Sequence, residues 1–306
     1  MREWTGRQVA SKEFGPLEWL DFVGRPCIVR GTATLISAYP KVGKTKAIRS
    51  SVEVWRREGH SILFFTEEGE RAWHERLKDE DEEWDEVVFV ETMNQAPAEL
   101  LTLMVNGPEN IVVVDTARHA FGMKDENDNA EVARRAAPWI AAAREAGKTL
   151  VVSVHENKAG GEHGRGISGG HALFGAFDAA FEVQRTNTPT RRLVRGWARL
   201  FDPAEFLYEQ QEDGSLVAIG DASAVERSEV RRMVADLLTD EWQTRQTVMA
   251  DLEQPRPSFE QLRRALDDLV RDGLAERDPA EERPGKTYKW RAAQPHLQQP
   301  LSIGGR

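Results

Sequence analysis

The sequence is poor in the features that mark secreted, membrane-spanning and DNA-coating proteins. It holds one cysteine, Cys27, in 306 residues, which excludes an internal disulfide framework. That thiol reads as a small buried or half-buried residue rather than a reactive one. No apolar run approaches the roughly 18 residues that a membrane-spanning helix requires, so no membrane contact is expected. The first residues, MREWTGRQVASKEFG, contain no apolar signal-peptide core. Together these absences point to the cytoplasm. Positive charge is not in excess either: 41 Lys and Arg against 51 Asp and Glu leave a net charge of -10. A surface coated in basic residues is thereby excluded, whereas a local basic patch or the lining of a ring is not. Much of the negative charge sits in DEDEEWDE (Asp79–Glu86) and DENDN (Asp125–Asn129). The first of these reads as a solvated face. Internal repeats and low-complexity tracts are also missing.

What is present is a rhythm. Apolar, β-rich runs occur at Thr32–Ala38, Ser61–Glu68, Glu86–Thr92, Asn110–Thr116 and Lys148–Glu156. Helical spacing fills the intervals at Thr45–Gly59, Pro97–Gly107 and Asn129–Gly147, and ERAWHERLKD reads as a further helix. This predicts an α/β fold with a mostly parallel, buried sheet. In such sheets ligands bind beyond the carboxyl ends of the strands, and the polar groups of interest are expected there. From about residue 180 the pattern changes to strands with turns at TNTPT and EDGS, and a hinge is expected over Gly220–Ser228. A first domain over 1–220, a second over 228–292 and a disordered tail over 293–306 follow from this division.

The stretch AYPKVGKT is the most specific signal. It follows a predicted strand, precedes a predicted helix, and matches G-x-x-x-x-G-K-[ST] except that Ala38 replaces the first glycine. The loop of Ala38, Pro40, Lys41, Val42, Gly43, Lys44, Thr45 and Lys46 would cradle nucleotide phosphates at a helix N-terminus, through the backbone N–H groups of its non-proline residues. Lys44 would reach the β- and γ-phosphates, and the Thr45 hydroxyl would coordinate Mg²⁺. Ala38 is tolerable where φ is negative; Gly43 is the residue that must stay bare. Asp115, ending IVVVD, is placed to hold the metal through water. Glu67, with Glu68 as second choice, ends the strand after the phosphate-loop helix and could orient and deprotonate an attacking water. His155 lies at the tip of the run Lys148–Glu156 and is placed to sense the γ-phosphate. A Gly-rich segment with Lys158 and Arg165 follows it. Metal ligation by His155, His163 and His171 is the alternative, but no tight histidine pair or cysteine supports it.

The order of these pieces resembles the RecA-like ATPases, and within them the RepA-type and DnaB-type hexameric replicative helicases of plasmids, phages and mobile elements. The likeness covers roughly residues 25–215. Glu67 and Arg76 keep that branch's nine-residue spacing from strand-end carboxylate to arginine, and HENK, GISGGHALFGAFD (to Asp178) and AAFEV follow in its order. The resemblance implies an ATP- and Mg²⁺-dependent motor on single-stranded DNA, built as a homo-oligomer, a hexamer in that branch. It implies that a neighbouring subunit supplies an arginine to the transition state. In RRLVRGWARLFDP only Arg199 fits that place, since Trp197 stands where the branch has lysine; Arg195 is the fallback. It also implies two loops at the mouth of a central channel, Arg118–Asn129 and Lys158–Gly170, the second carrying Lys158, His163 and Arg165 for the phosphate backbone. A recombinase or strand-annealing protein is one rival reading.

The last module looks like a winged helix. Three helical segments, Ser228–Thr239, Thr244–Leu252 and Ser258–Asp272, precede what reads as a two-stranded ribbon. In that family the third helix enters the major groove and the wing touches the backbone, which here nominates Ser258, Gln261, Arg263 and Arg264, with Lys286 and Lys289 in the wing. The acids Glu260, Asp267, Asp268 and Asp272 on the same helix weigh against that contact, and a protein-docking or structural winged helix is the alternative. An ATP-switched, DNA-binding regulator is the second rival.

Overall fold

The apolar runs become the interior of one sheet. The computed structural model describes residues 5–78, 84–124, 128–155, 175–252, 254, 256–279 and 287–293. The chain divides into two compact units, Met1–Gly220 and Asp221–Arg306. In the first unit the strands are β1 (Trp19–Phe22), β2 (Arg25–Val29), β3 (Ala33–Ala38), β4 (Ile62–Thr66), β5 (Val87–Glu91), β6 (Ile111–Asp115), β7 (Thr149–His155), β8 (Ala179–Arg185), β9 (Arg191–Ala198), β10 (Phe206–Gln210) and β11 (Leu216–Asp221). Its described helices are α1 (Gly6–Ala10), α2 (Lys44–Arg57), α3 (Glu70–Leu77), α4 (Pro97–Asn106), α5 (Ala117–Ala120) and α6 (Asn129–Ala146). Nine strands form one sheet in the order β11-β10-β9-β8-β3-β7-β6-β4-β5. The strands from β8 to β5 in that order are parallel, and β9 and β10 extend the sheet antiparallel.

The sequence around β3 alternates, yet every residue of that strand is buried. The reason is its position between β7 and β8 with a core on each face. Ile36, Phe64, Ile111, Val113 and Val151 face the core beneath α2, where Ala47, Ile48, Val52 and Trp55 pack. Leu35, Leu63, Phe65, Val112, Val114, Leu150 and Val152 face the other core, against Val132, Ala136, Trp139, Ile140 and Ala143 of α6. That two-unit alternation meeting a three-to-four-residue helical stripe is what fixes the layers.

The lead-in over residues 1–30 contains a β-hairpin that the sequence does not announce. Its two-residue turn, Val23 and Gly24, has positive φ at both positions, which suits the twist of a tight hairpin. The hairpin grips α2: Trp55 Nε1 donates to the Asp21 carbonyl at 2.7 Å, and the Val23 N–H donates to Ser51 Oγ at 3.0 Å. Trp55 is fully buried there, and truncating it should cost about 3–5 kcal/mol. Cys27 on β2 is buried, and burial pushes its thiol up to about 12.

The second unit contains α7 (Ala222–Leu237), α8 (Arg245–Asp251) and α9 (Phe259–Arg271), with strands β12 (Gln243–Thr244), β13 (Ala275–Asp278) and β14 (Lys289–Ala292). Its own core joins Val230, Val234, Val248, Leu262, Leu266, Leu269 and Trp290. Three helices and a small sheet are thus present, the elements expected of this unit. The sheet has three strands, order β12-β14-β13, rather than the two of the expected ribbon. β12 is only two residues long, too short to leave a periodicity. The first helix starts at Ala222, so the stretch expected as a hinge is a strand end and a helix start. Among the described residues no helix is long and apolar enough to cross a membrane.

Candidate active site

The loop from β3 to α2 explains the departure at its first position. Ala38 is the last residue of β3, fully buried and paired with His155 on β7 and Val183 on β8. An extended strand residue needs no glycine. Pro40 and Lys41 are exposed and Val42 is buried. Gly43 caps α2 at φ +105. A Cβ there would meet nothing within 4 Å, so the backbone conformation, not space, demands glycine. α2 starts with no side-chain cap and no acidic residue in its first turn. Its first N–H groups have no acceptor within the helix, and the positive end of its dipole faces the loop. This is a ready anion site.

Three strand ends meet behind it. The Lys44 side chain is 4% exposed; Nζ donates to Ser153 Oγ at 2.9 Å and lies 3.6 Å from Asp115 Oδ1. Ser153 Oγ donates in turn to Asp115 Oδ1. Thr45 is half-buried beside this cluster in sequence. Lys46 goes elsewhere: its Nζ is 3.6 Å from where a side chain at Gly214 would begin, at the β10–β11 turn. Burial and the neighbouring Arg49 hold its ammonium below the usual lysine range, with Asp213 opposing.

The two strand-end acids after β4 separate. The Glu67 N–H donates to the Asp115 carbonyl at 3.2 Å, and Thr116 Oγ1 donates to Glu67 Oε1 at 2.5 Å. Glu68 instead takes both Nη atoms of Arg76, Nη2 to Oε1 at 2.6 Å. That hydrogen bond, ahead of opposing burial, raises the Arg76 guanidinium above its ordinary range. So the arginine nine residues after Glu67 is held by Glu68, and Glu67 is left on the Asp115 side. His155 is half-buried and level with Ala38.

Arg199 stands apart from this group. Ala38 is level with Val183 and Val194, whereas Ala198 is level with Ala179 and, through it, Thr34. Four residues of strand separate Thr34 from Ala38, about 13 Å. Arg199 and Asp178 therefore lie at the amino ends of the parallel strands, not at the carboxyl ends where the sequence pattern placed the polar groups. The cause is the antiparallel direction of β9. There Arg199 donates its N–H to the Asp178 carbonyl at 2.8 Å and its guanidinium to the Gly175 carbonyl. Arg195, the fallback, is paired with buried Glu182 at 3.1 Å. At the phosphate-loop end of the same hairpin sit Arg185 and Arg192, donating to the carbonyls of Lys41 and Val42 at 2.8 and 2.7 Å. Sequence reasoning missed them, together with Ser153 and Thr116. The one available signal was a lone serine two residues before His155 in an apolar strand.

Of the expected DNA contacts, Lys158, His163, Arg165 and Lys286 lie outside the described residues, as does His171. The loop Arg118–Asn129 is folded at its start: α5 occupies Ala117–Ala120, and Phe121 packs on Trp139 at 4.8 Å between ring centroids. Ala120, Phe121 and Met123 are therefore core, whereas Arg118, His119 and Lys124 are exposed. Gln261 closes a capping box with Ser258 and donates to Glu226 at 2.8 Å. Arg263 pairs with Glu260 at 2.7 Å and Asp267 at 3.1 Å, and Arg264 pairs with Glu260 at 3.0 Å. Those hydrogen bonds hold the Glu260 carboxyl down to about 2. Lys289 is exposed at the start of β14. Among the described residues no three His, Cys, Asp or Glu side chains form a metal cluster.

A phosphate loop between the first parallel strand and its helix, backed by a strand-end aspartate and set in this sheet, defines a P-loop ATPase with a RecA-like core. A family model described as an AAA domain matches residues 3–161, just over half of the chain, and the chain belongs to that family. No curated protein matches the sequence. Among solved structures it is similar to a KaiC-like protein of the hyperthermophilic archaeon Pyrococcus horikoshii OT3, at 13% identity over 67% of this chain and 100% of that one, TM-score 0.52. A structure described as an ATPase domain aligns at 14% identity over 62% of this chain and 86% of that one, TM-score 0.51. The RadB recombinase aligns at 14% identity over 64% of this chain and 94% of that one, TM-score 0.47. At these identities the likeness is one of fold.

Proposed function

We propose that the chain is an ATP-driven motor that translocates on single-stranded DNA as a homo-oligomeric ring of six, in the manner of the replicative helicases of plasmids, phages or mobile elements. The observation that carries the hydrolytic part is Glu67, tied by Thr116 to the Asp115 side while Arg76 occupies Glu68. In this reading the first N–H groups of α2 and Lys44 take the β- and γ-phosphates. Lys44 exchanges its bond to Ser153 for phosphate oxygen. The Thr45 hydroxyl and the Asp115 carboxylate are hard oxygen donors of the kind Mg²⁺ takes, and they would hold it. Bound there, the ion neutralises charge on the β- and γ-oxygens. Glu67 orients the attacking water and accepts its proton. His155, level with the loop, reports the γ-phosphate. Arg199 lies too far along the sheet to serve the nucleotide of its own chain, which supports a role at a neighbour's site. Lys124, Lys158 and Arg165 are the proposed single-strand contacts; Gln261, Arg263, Arg264, Lys286 and Lys289 would meet duplex through the second unit, after exchanging exposed ion pairs that are individually weak.

Particle mass in solution tests this, measured with and without an ATP analogue and single-stranded DNA. A ring near six subunits and ATPase activity stimulated by the DNA are expected. A monomer or dimer under every condition would overturn the ring and leave the ATP-switched regulator. ATP-dependent filaments on DNA would point to the recombinase.

A further inference from the structure

The β8–β9 turn brings two guanidinium groups onto the outside of the phosphate loop. Arg185, last residue of β8, donates from Nη2 to the Lys41 carbonyl at 2.8 Å. Arg192, its register partner on β9, donates from Nε to the Val42 carbonyl at 2.7 Å. Arg192 is itself fixed, because its Nη1 donates to the Pro189 and Arg191 carbonyls at 2.7 and 2.6 Å. We propose that Arg185 and Arg192 are positioning residues that set the phosphate loop in its nucleotide-binding shape before nucleotide arrives. The inference rests on the phosphate-site reading above.

Two observations lead there. A trans peptide points its C=O and its N–H to opposite sides. With Arg192 on the Val42 carbonyl, the Gly43 N–H is turned away from the guanidinium. The Val42 N–H closes a turn on the Tyr39 carbonyl at 3.3 Å, so it is the next N–H, that of Gly43, that is offered to a phosphate ahead of those of α2. The second observation is the backbone itself. Lys41 has φ +64 and Gly43 φ +105, two left-handed positions within three residues. A non-glycine residue occupies that region only when its surroundings hold it there. The Arg185 bond falls on the carbonyl of that very lysine. Neither arginine needs to touch nucleotide: each acts through a carbonyl, and the gain is in binding, because a loop already ordered loses less freedom when phosphate arrives.

Arg192→Met, Arg185→Met, Arg192→Lys and Lys44→Ala are compared with the wild-type chain by mant-ATP titration and by steady-state ATPase kinetics. Arg192→Met should raise the mant-ATP Kd and the ATP KM about tenfold while kcat falls less than about threefold, and Arg185→Met should move them in the same direction. Arg192→Lys should recover most of the loss, since an ammonium also donates to a carbonyl. Should Arg192→Met melt early, Arg185→Met and Arg192→Lys carry the comparison. If wild type binds mant-ATP, Lys44→Ala does not, and both arginine variants bind like wild type, the positioning inference is overturned and the phosphate site stands. A fall in kcat with KM unchanged also overturns it, because the arginine would then act at the transition state. If Lys44→Ala binds as tightly as wild type, the phosphate-site reading fails and takes this inference with it.

Discussion

Removing either half of the Lys44–Asp115 pair should unsettle the sheet as well as stop turnover. The two side chains are 4% and 5% exposed, with Nζ 3.6 Å from Oδ1. At an effective dielectric constant of about 20, that separation gives an attraction of roughly 4–5 kcal/mol. Desolvation of both groups offsets much of it, so the net worth of the pair is far smaller. Deleting one partner is different, because the other stays buried without its counter-charge; that costs about 3–5 kcal/mol. Lys44→Ala and Asp115→Ala should each lower the stability of the Met1–Gly220 unit by that amount. The double variant should fall well short of the sum, with a coupling of about 2 kcal/mol or more. Amide exchange in β3 and β6 reads this without contribution from the second unit. Additive losses, with coupling below about 0.5 kcal/mol, would show that the two groups are independently solvated and would refute the argument. Normal ATPase activity in Lys44→Ala would refute the phosphate site itself.

Glu67→Gln should keep nucleotide binding and lose hydrolysis, measured by mant-ATP titration and phosphate release; the same loss only in Glu68→Gln would reverse the assignment of the two acids. Arg199→Ala should bind ATP almost normally, hydrolyse it poorly, and poison wild-type protein when mixed with it, whereas purely proportional activity in the mixture would argue against a role across subunits. Cys27, its thiol pushed up to about 12, should resist iodoacetamide at pH 8 until the chain unfolds; rapid labelling of native protein would contradict its burial. The Glu260 carboxyl should titrate near 2 by NMR rather than near its ordinary value of 4.5. Its folded value is the lower one, so the pairing supports α9 above about pH 4.5 and is lost as pH falls through about 2. A midpoint near 4.5 would mean that Arg263 and Arg264 do not hold it.

The parallel sheet was legible because most of its strands are largely apolar runs, several of them ending on a polar residue, as IVVVD ends on Asp115. The phosphate loop was legible for the same reason: its parts are consecutive. What stayed hidden depends on register between distant segments. Arg192 meets Val42 only because β9 runs back along β8, and nothing in RRLVRGWARL states that direction. The same reversal carries Arg199 to the far end of the sheet. Which acid takes Arg76 could not be read from spacing, since Glu67 and Glu68 differ by one residue and it is Thr116, just past the end of β6, that holds Glu67. The hairpin over Trp19–Val29 was obscured by its turn, where valine rather than asparagine or glycine takes the first left-handed position.

Ala38 changes how such loops should be searched for. Its backbone belongs to the strand, whereas Gly43 is left-handed at φ +105 where it caps α2, so the two glycines of the usual pattern answer different demands. A filter that requires both letters rejects this chain at a position where the letter is immaterial. A filter written in backbone angles, extended at the first position and left-handed at the sixth, accepts it. Applied to other sequences, that criterion would recover loops with alanine or serine at the first position and discard those that lose the second glycine.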